Sequence, residues 1–152
     1  YKLIHEVANN LQEINFVFIG PTDDSLQHSN LNKIKKLKNV FLLGYRKYKY
    51  LPSYCAYFDV AWLPLIHNNY TKSMFPMKFF EYLAAGLPVV ATDLQSIREF
   101  NKLVAITDDI SKIKISIIEA LKNKDFNLKN RLSLAMENTY QKRTKKMLME
   151  LN

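Results

Sequence analysis

The sequence predicts an α/β domain with a Rossmann-like parallel sheet and helices on both faces. Short apolar runs, rich in β-branched and aromatic residues, alternate along its 152 residues with segments whose apolar residues recur at helical spacing. Glycine or proline follows several of the apolar runs, as is typical of a strand that ends in a turn. Because no repeat or linker-like tract divides the chain, we expect one domain over residues 1–152.

The strands are predicted from their composition and length. Each is a short apolar run bounded by polar, glycine or proline residues. The five predicted strands are Asn15–Ile19, Val40–Leu43, Asp59–Leu63, Leu87–Ala91 and Leu103–Ile106.

The predicted helices lie between and after these strands. They are Tyr1–Gln12, a short basic helix over Leu31–Leu37, a helix within Tyr48–Tyr57, one within Phe75–Gly86, Ser111–Leu121 and the chain from Phe126 onward. We expect Ser29 or Asn30 to cap the basic helix, Pro52 to begin the next, and Thr139 to cap the last after a break. The polar stretches Thr22–Asn30 and Pro64–Phe75 are predicted loops.

Composition limits the classes of function. The net charge is +8, but no nucleic-acid motif accompanies the cations, which are mostly lysine, so solvated helix faces explain them better than nucleic-acid binding does. Attraction to an anionic membrane surface is a further explanation. The single Cys55 cannot form an internal disulfide and reads as a buried inert thiol. Without a signal peptide or a membrane-length apolar run, we expect a cytoplasmic protein, alternatively one peripheral to the inner membrane face.

The stretch from Phe75 to Thr92, FPMKFFEYLAAGLPVVAT, carries the most local information. Pro76 suits the first helical position, and Gly86 stands where a left-handed residue would end the helix. The β-branched run Leu87–Ala91 then predicts a parallel strand that is covered on both sides.

This helix has a core face and a chemical face. At 100° per residue the predicted apolar arc contains Met77, Phe79, Phe80, Leu83 and Ala84. The opposite arc contains Lys78, Glu81, Tyr82 and Ala85. A helix N-terminus can bind an anion, and Glu81 stands one turn further along.

The same stretch resembles the donor-binding signature of the group 1, retaining-type glycosyltransferases of the GT-B fold. The residues in register are Pro76, Lys78, Glu81, Tyr82, Leu83, Ala84, Ala85, Gly86, Pro88, Val89 and Val90. The resemblance implies that Glu81 accepts hydrogen bonds from the ribose hydroxyls of a nucleotide sugar, while amides at the helix start hold its diphosphate. It extends over nearly the whole chain, which it identifies as the C-terminal, donor-binding half of a GT-B fold.

The resemblance also implies that parts of the protein precede Tyr1. In the family a first strand and a glycine-rich loop come before the helix that begins here at Tyr1, and an N-terminal acceptor domain comes before both. That strand is central in the order 3-2-1-4-5-6, so its loss would leave a gap or force its neighbours to pair. We therefore expect this chain alone to transfer no sugar and to be prone to self-association.

The candidate binding residues follow strand ends or surround the signature helix. The set is Gly20, Gly44, Tyr45, Arg46, Thr71, Ser73, Met77, Lys78 and Glu81. The resemblance places Gly44 to Arg46 at the turn that contacts the base, although an ordinary turn explains Tyr45 and Arg46 equally well.

Other residues near the signature have competing explanations. Lys78 could bind phosphate or pair with Glu81 at the i, i+3 spacing. Ser73 stands where many family members have an acid that reaches the donor sugar, so sugar recognition must differ or weaken here. His67 reads better as a plain loop histidine than as a substrate contact. No catalytic residue can be named, and no metal spacing is present.

The resemblance thus implies an enzyme that binds a UDP- or GDP-sugar and serves sugar transfer to an acceptor hydroxyl. The expected setting is polysaccharide or glycolipid biosynthesis, and a lipid-linked molecule is one candidate acceptor. The nucleotide sugar is the donor substrate, and no cofactor is expected. The alternatives are a nucleotide-sugar epimerase of the same fold and a non-catalytic nucleotide-sugar-binding module.

Overall fold

The structure is a computed structural model that describes residues 1–22 and 29–150. Its helices are α1 (Lys2–Asn10), α2 (Ser29–Lys35), α3 (Leu51–Cys55), α4 (Asn69–Ser73), α5 (Met77–Ala84), α6 (Ile110–Lys122), α7 (Leu128–Glu137) and α8 (Tyr140–Glu150). Its strands are β1 (Phe16–Ile19), β2 (Val40–Gly44), β3 (Ala61–Leu63), β4 (Val89–Ala91) and β5 (Ala105–Ile106). Single 3-10 turns occupy Tyr48–Tyr50 and Gln95–Phe100.

All strand pairs in the described chain are parallel, as the sequence predicts. β1 pairs with β2, with Phe16 opposite Val40. Separately, β4 lies between β3 and β5, with Val90 opposite both Trp62 and Ala105. Parallel pairing of strands that are joined by helices confirms the predicted α/β fold.

A gap separates the two parts of the sheet. Among the described residues no backbone hydrogen-bond ladder joins β1 to β3. Of the two expected consequences of a missing first strand, the structure therefore shows a gap rather than new pairing between the neighbouring strands. The rings of Phe16 and Phe18 instead pack on Trp62, at centroid distances of 5.7 and 6.4 Å. The buried Nε1 of Trp62 finds no acceptor in the described chain. Aromatic packing therefore replaces backbone hydrogen bonds at this position.

Helices cover both faces of the larger sheet. Trp62 and Val90 face a core formed with α1 and α6. The alternate residues of the same strands face a second core, formed with α5 and α7; they are Ala61, Leu63, Val89 and Ala91. This period-two alternation explains why β3 and β4 are apolar throughout, since neither face meets water.

The predicted loop between Pro64 and Phe75 contains the helix α4, so that prediction is wrong in part. Asn68 caps this helix: its side chain accepts the Thr71 amide at 2.8 Å, and the Thr71 hydroxyl accepts the Asn68 amide at 2.9 Å. The reciprocal cap satisfies donors that would otherwise be exposed. Five residues are too few to show helical periodicity in the sequence.

Four predicted helix starts can be compared with the structure. Pro52 is the second residue of α3 rather than its first. Ser29 and Asn30 already belong to α2, so the prediction that either is its cap is wrong. Pro76 is the N-cap of α5 rather than its first residue. The predicted cap at Thr139 is confirmed, because its hydroxyl accepts the Lys142 amide at 3.3 Å. Most of the predicted loop at 22–30 lies outside the described residues.

Burial along α5 follows the predicted core face with one exception. Phe79, Phe80 and Leu83 are buried and Met77 is half-buried, but Ala84 is exposed. Gly86 has a φ of +78°, as predicted for the residue that ends this helix.

Arg131 fastens α7 to the end of α5. Arg131 is 2% exposed, and its guanidinium donates to the carbonyls of Phe126, Lys124 and Gly86, the last at 2.9 Å. Burial lowers the pKa of Arg131, because the charged form is removed from water. Leu128, at the start of α7, lies against Gly86, and Arg143, on the following helix α8, lies over the ring of Phe75 before α5. Consequently, α7 runs antiparallel to α5.

Asn39 joins α1 to the start of the sheet. Its side-chain amide lies 3.0 Å from the carbonyl oxygens of Ala8, Leu11 and Ile14. Two N–H groups are shared among three acceptors at the C-terminal end of α1, where helix carbonyls lack partners. One buried side chain thus provides hydrogen-bond donors for the carbonyl groups of the turn that leads into β1.

The helix α8 is the least covered element of the described chain. Arg143 is its only half-buried residue with a described side chain, and Tyr140, Met147 and Met149 are each more than half exposed. Within residues 1–22 and 29–150, no helix combines the length and the apolarity needed to cross a membrane.

We predict that Arg131→Ala lowers the free energy of unfolding by about 2–4 kcal/mol, because it leaves buried carbonyls without donors. Urea denaturation is the measurement. Lys129→Ala, an exposed change on the same helix, should cost less than about 0.5 kcal/mol. Equal stability of the two variants would contradict the role given to Arg131.

We also predict that Asn39→Ala destabilises the chain by about 1–3 kcal/mol, since the carbonyls at the end of α1 lose their buried donor. Asn9→Ala removes an exposed amide from the same helix and serves as the control. Thermal unfolding of both variants tests this, and a melting temperature unchanged by Asn39→Ala would refute the prediction.

Candidate functional site

The signature helix α5 points its N-terminus at the carboxyl edge of the sheet. Gly86 turns the chain back at the amino end of β4, so α5 runs antiparallel to that strand. The amides of Met77 and Lys78 open the helix and have no partner within it. Ligands of open parallel sheets bind at this edge, beside a break in strand order. The gap between β1 and β3 is such a break.

Glu81 lies half-buried on α5 and is held from outside the helix. The Tyr48 hydroxyl donates to its Oε1 at 2.8 Å, and this bond to a carboxylate raises the pKa of Tyr48. Cys55 and Tyr82 are further neighbours: burial, together with the charge of Glu81, raises the pKa of each. The raised pKa keeps Cys55 a thiol, in agreement with its predicted inertness. Glu81 is therefore an acid with neutral neighbours and one oxygen already engaged.

Lys78 and Met77 lie at the start of the same helix. Lys78 is exposed, and no ion pair in the described chain joins it to Glu81, so the i, i+3 pair does not form here. Its ammonium group is thus left for another anion. Met77 is half-buried and contributes contact surface rather than charge.

The candidates that follow β1 and β2 meet at one place. The Gly20 amide donates to the Gly44 carbonyl at 3.0 Å, and both glycines have positive φ, +147° and +70°. Tyr45 is exposed, whereas Arg46 turns back to donate to the Tyr54 hydroxyl and the Tyr45 carbonyl, each at 2.9 Å. The turn is thus shaped by its glycines and braced by Arg46.

The two candidates on α4 have different surroundings. Thr71 is buried, and its hydroxyl donates to the Ile66 carbonyl at 2.5 Å while it completes the helix cap. Ser73, at the end of α4, is exposed. Of the two, only Ser73 presents a side chain to solvent.

A polar cluster ties together the loops after β3, β4 and β5. His67 Nε2 lies 3.0 Å from Asp108 Oδ1, which also accepts the Asp93 amide. Asp93 in turn receives two bonds from Arg98. Partial burial would raise the pKa of Asp108, but the hydrogen bonds from His67 and the Asp93 amide, with nearby positive charge, lower it below its ordinary value. His67 is therefore a loop residue held by a carboxylate.

Sequence reasoning missed Tyr48 and Arg143. Tyr48 lies in the run YRKYKY, where tyrosines are interspersed with cations after β2. That pattern is the one feature of the sequence that could have indicated Tyr48 as a site residue. Arg143 lies over the Phe75 ring at 3.6 Å, which brings α8 to the start of α5. No sequence pattern pairs these residues. Within the described chain, no cluster of three acidic, histidine or cysteine side chains could hold a metal.

Two comparisons with known proteins bear on the family of this chain. A family model described as "Glycosyl transferases group 1" matches residues 2–123. A relative, TuaH of Bacillus subtilis (strain 168), whose name assigns it to teichuronic acid biosynthesis as a glycosyltransferase, is 33% identical over 102 residues. The match covers 67% of this chain but 25% of that protein, so the chain spans about a quarter of its relative. Because the family match covers most of the sequence, the chain belongs to the group 1 glycosyl transferases.

Proposed function

We propose that this chain binds a nucleoside diphosphate sugar, with UDP or GDP as its nucleotide, and presents it for transfer to an acceptor hydroxyl. The observation that carries the proposal is the placement of Glu81. Its carboxylate lies one turn from the N-terminus of α5, at the sheet edge where α/β folds bind ligands, and its Oε2 has no partner among the described residues. A carboxylate so placed suits the two hydroxyls of a ribose.

The diphosphate would lie at the start of α5. The opening amides of the helix and its dipole favour an anion, and the ammonium of Lys78, which has no ion-pair partner among the described residues, adds a positive charge at the same end. The base would then extend toward the turn formed by Gly20, Gly44 and Tyr45. This arrangement uses the candidates on both sides of the gap.

The sugar would lie near Ser73, which can supply one hydrogen bond but no charge. Recognition of the sugar is therefore expected to be weaker than recognition of the nucleotide. Retention of configuration is part of the proposal only through the family, since no described residue acts as an acid or base toward the sugar.

Polysaccharide or glycolipid biosynthesis is the setting that we propose. The relative's name refers to teichuronic acid biosynthesis. The helix α8 offers a reason for a lipid-linked acceptor, because Lys145 and Lys146 lie beside the exposed Met147 and Met149. Cations next to exposed apolar side chains suit the surface of an anionic membrane.

The test of the proposal is calorimetric binding of UDP and GDP to the purified chain. Glu81→Gln keeps the shape of the side chain and removes its charge. A charge-assisted hydrogen bond is worth about 1.5–3 kcal/mol, so we predict a tenfold or greater loss of nucleotide affinity with the fold intact. Glu119→Gln, on the exposed side of α6, is the matched control.

Two results would contradict this prediction. One is equal nucleotide affinity in the Glu81→Gln and Glu119→Gln variants. The other is tight binding of a free sugar without any nucleotide, because the residues described above address the base, ribose and phosphates.

A separate prediction concerns the phosphates. We expect Lys78→Ala to weaken binding of UDP or GDP by about three- to tenfold while leaving the much weaker binding of the nucleoside unchanged, since one charge near the phosphates is lost. The effect should shrink as salt is added. Lys112→Ala, exposed on α6, is the control; equal losses for nucleotide and nucleoside would assign Lys78 a structural role.

A further inference from the structure

The contact between Tyr48 and Glu81 joins two distant parts of the chain. Tyr48 begins the 3-10 turn after β2, whereas Glu81 lies on the helix before β4, 33 residues away. The hydroxyl of Tyr48 donates to the carboxylate, while 68% of the tyrosine remains exposed. The bond is thus not a by-product of a buried ring. It is a directed polar contact made at the surface.

The contact leaves Glu81 able to bind a ligand. An ionised carboxylate offers about four acceptor positions, and Tyr48 occupies one of them on Oε1. Oε2 and the second position on Oε1 remain for the two hydroxyls of a vicinal diol. Tyrosine is also a neutral donor, so it fixes the carboxylate and leaves its charge in place. A lysine in the same position would cancel that charge.

Orientation matters because a free glutamate side chain samples many rotamers. Immobilising such a side chain on binding reduces affinity, and a contact that fixes it beforehand avoids that loss. Tyr48 is the one described side chain that donates to Glu81. The neighbouring Tyr82 and Cys55 surround the acid without such a bond.

We propose that Tyr48 is a positioning residue for Glu81, and that it thereby makes the site selective for ribonucleotides over nucleotides that lack the ribose diol. The inference rests on the proposed function, since it assumes that Glu81 meets a ribose. It adds the residue that prepares Glu81 and the chemical group that this preparation selects.

The experiment compares UDP and GDP with their 2′,3′-dideoxy counterparts, by calorimetry, on the wild-type chain and on Tyr48→Phe. Loss of the pre-set orientation should weaken binding of the ribonucleotide by about three- to tenfold and leave the dideoxy compound unaffected. Tyr57→Phe, which removes the hydroxyl of a nearby tyrosine that is 88% exposed, should behave as wild type toward both compounds.

A double-mutant cycle with Glu81→Gln separates positioning from a general structural effect. If Tyr48 acts through Glu81, the double variant should bind no more weakly than Glu81→Gln alone. A purely structural role for Tyr48 would lower affinity for ribo- and dideoxynucleotides alike and would add to the effect of Glu81→Gln. That result would overturn the inference.

The remaining outcomes separate the role of Tyr48 from the proposed nucleotide binding on which it rests. A wild-type preference for ribonucleotides that is undiminished in Tyr48→Phe, or that grows because a competing hydroxyl has gone, would overturn the role of Tyr48 and leave the function standing. A wild-type chain that binds neither nucleotide, or that shows no ribose preference, would overturn both.

Discussion

The left-handed turn at Gly86 is the constraint on which the rest of the structure depends. Its φ of +78° reverses the chain between α5 and β4, and a Cβ at this position would lie 3.2 Å from Leu128. Glycine is favoured by this conformation, and a side chain at the position would also crowd the terminal methyl group of Leu128 on α7. The Gly86 carbonyl then accepts a bond from Arg131. The turn at Gly86 therefore sets the direction of α5, and with it the position of Glu81. This turn lies at the end of the helix that is away from the candidate site.

Stability and binding draw on different kinds of contact in this molecule. The apolar cores on the two faces of the sheet hold the strands, and Arg131 and Asn39 satisfy buried carbonyls. The contacts at the carboxyl edge are exposed, including the pair of His67 and Asp108 and the bond from Tyr48. Exposed polar contacts contribute at most about 1 kcal/mol each. The edge can thus adjust to a ligand without cost to the core.

Much of the fold was readable from the sequence because its signals are local. The five strands are short apolar runs with clear ends, and Gly86 and Thr139 mark helix boundaries by their own chemistry. The helix α4 was missed since its cap, Asn68 with Thr71, precedes too short a segment to show periodicity. The site was readable only in part: Glu81 stands in a recognisable signature, but the partner of Glu81 comes from 33 residues away, and no local rule pairs them.

If the chain binds a nucleotide as proposed, the divided sheet gives that ligand a mechanical role. Gly44 and Tyr45 belong to the part built on β1 and β2, whereas Glu81 belongs to the part built on β3 to β5, and among the described residues no backbone ladder joins the two. A ligand that spans base and ribose would act as a cross-link between them. By mass action it would raise the apparent stability of the whole chain by about 2.7 kcal/mol at a hundredfold excess over its dissociation constant. The substrate would then be a structural component of the domain that binds it.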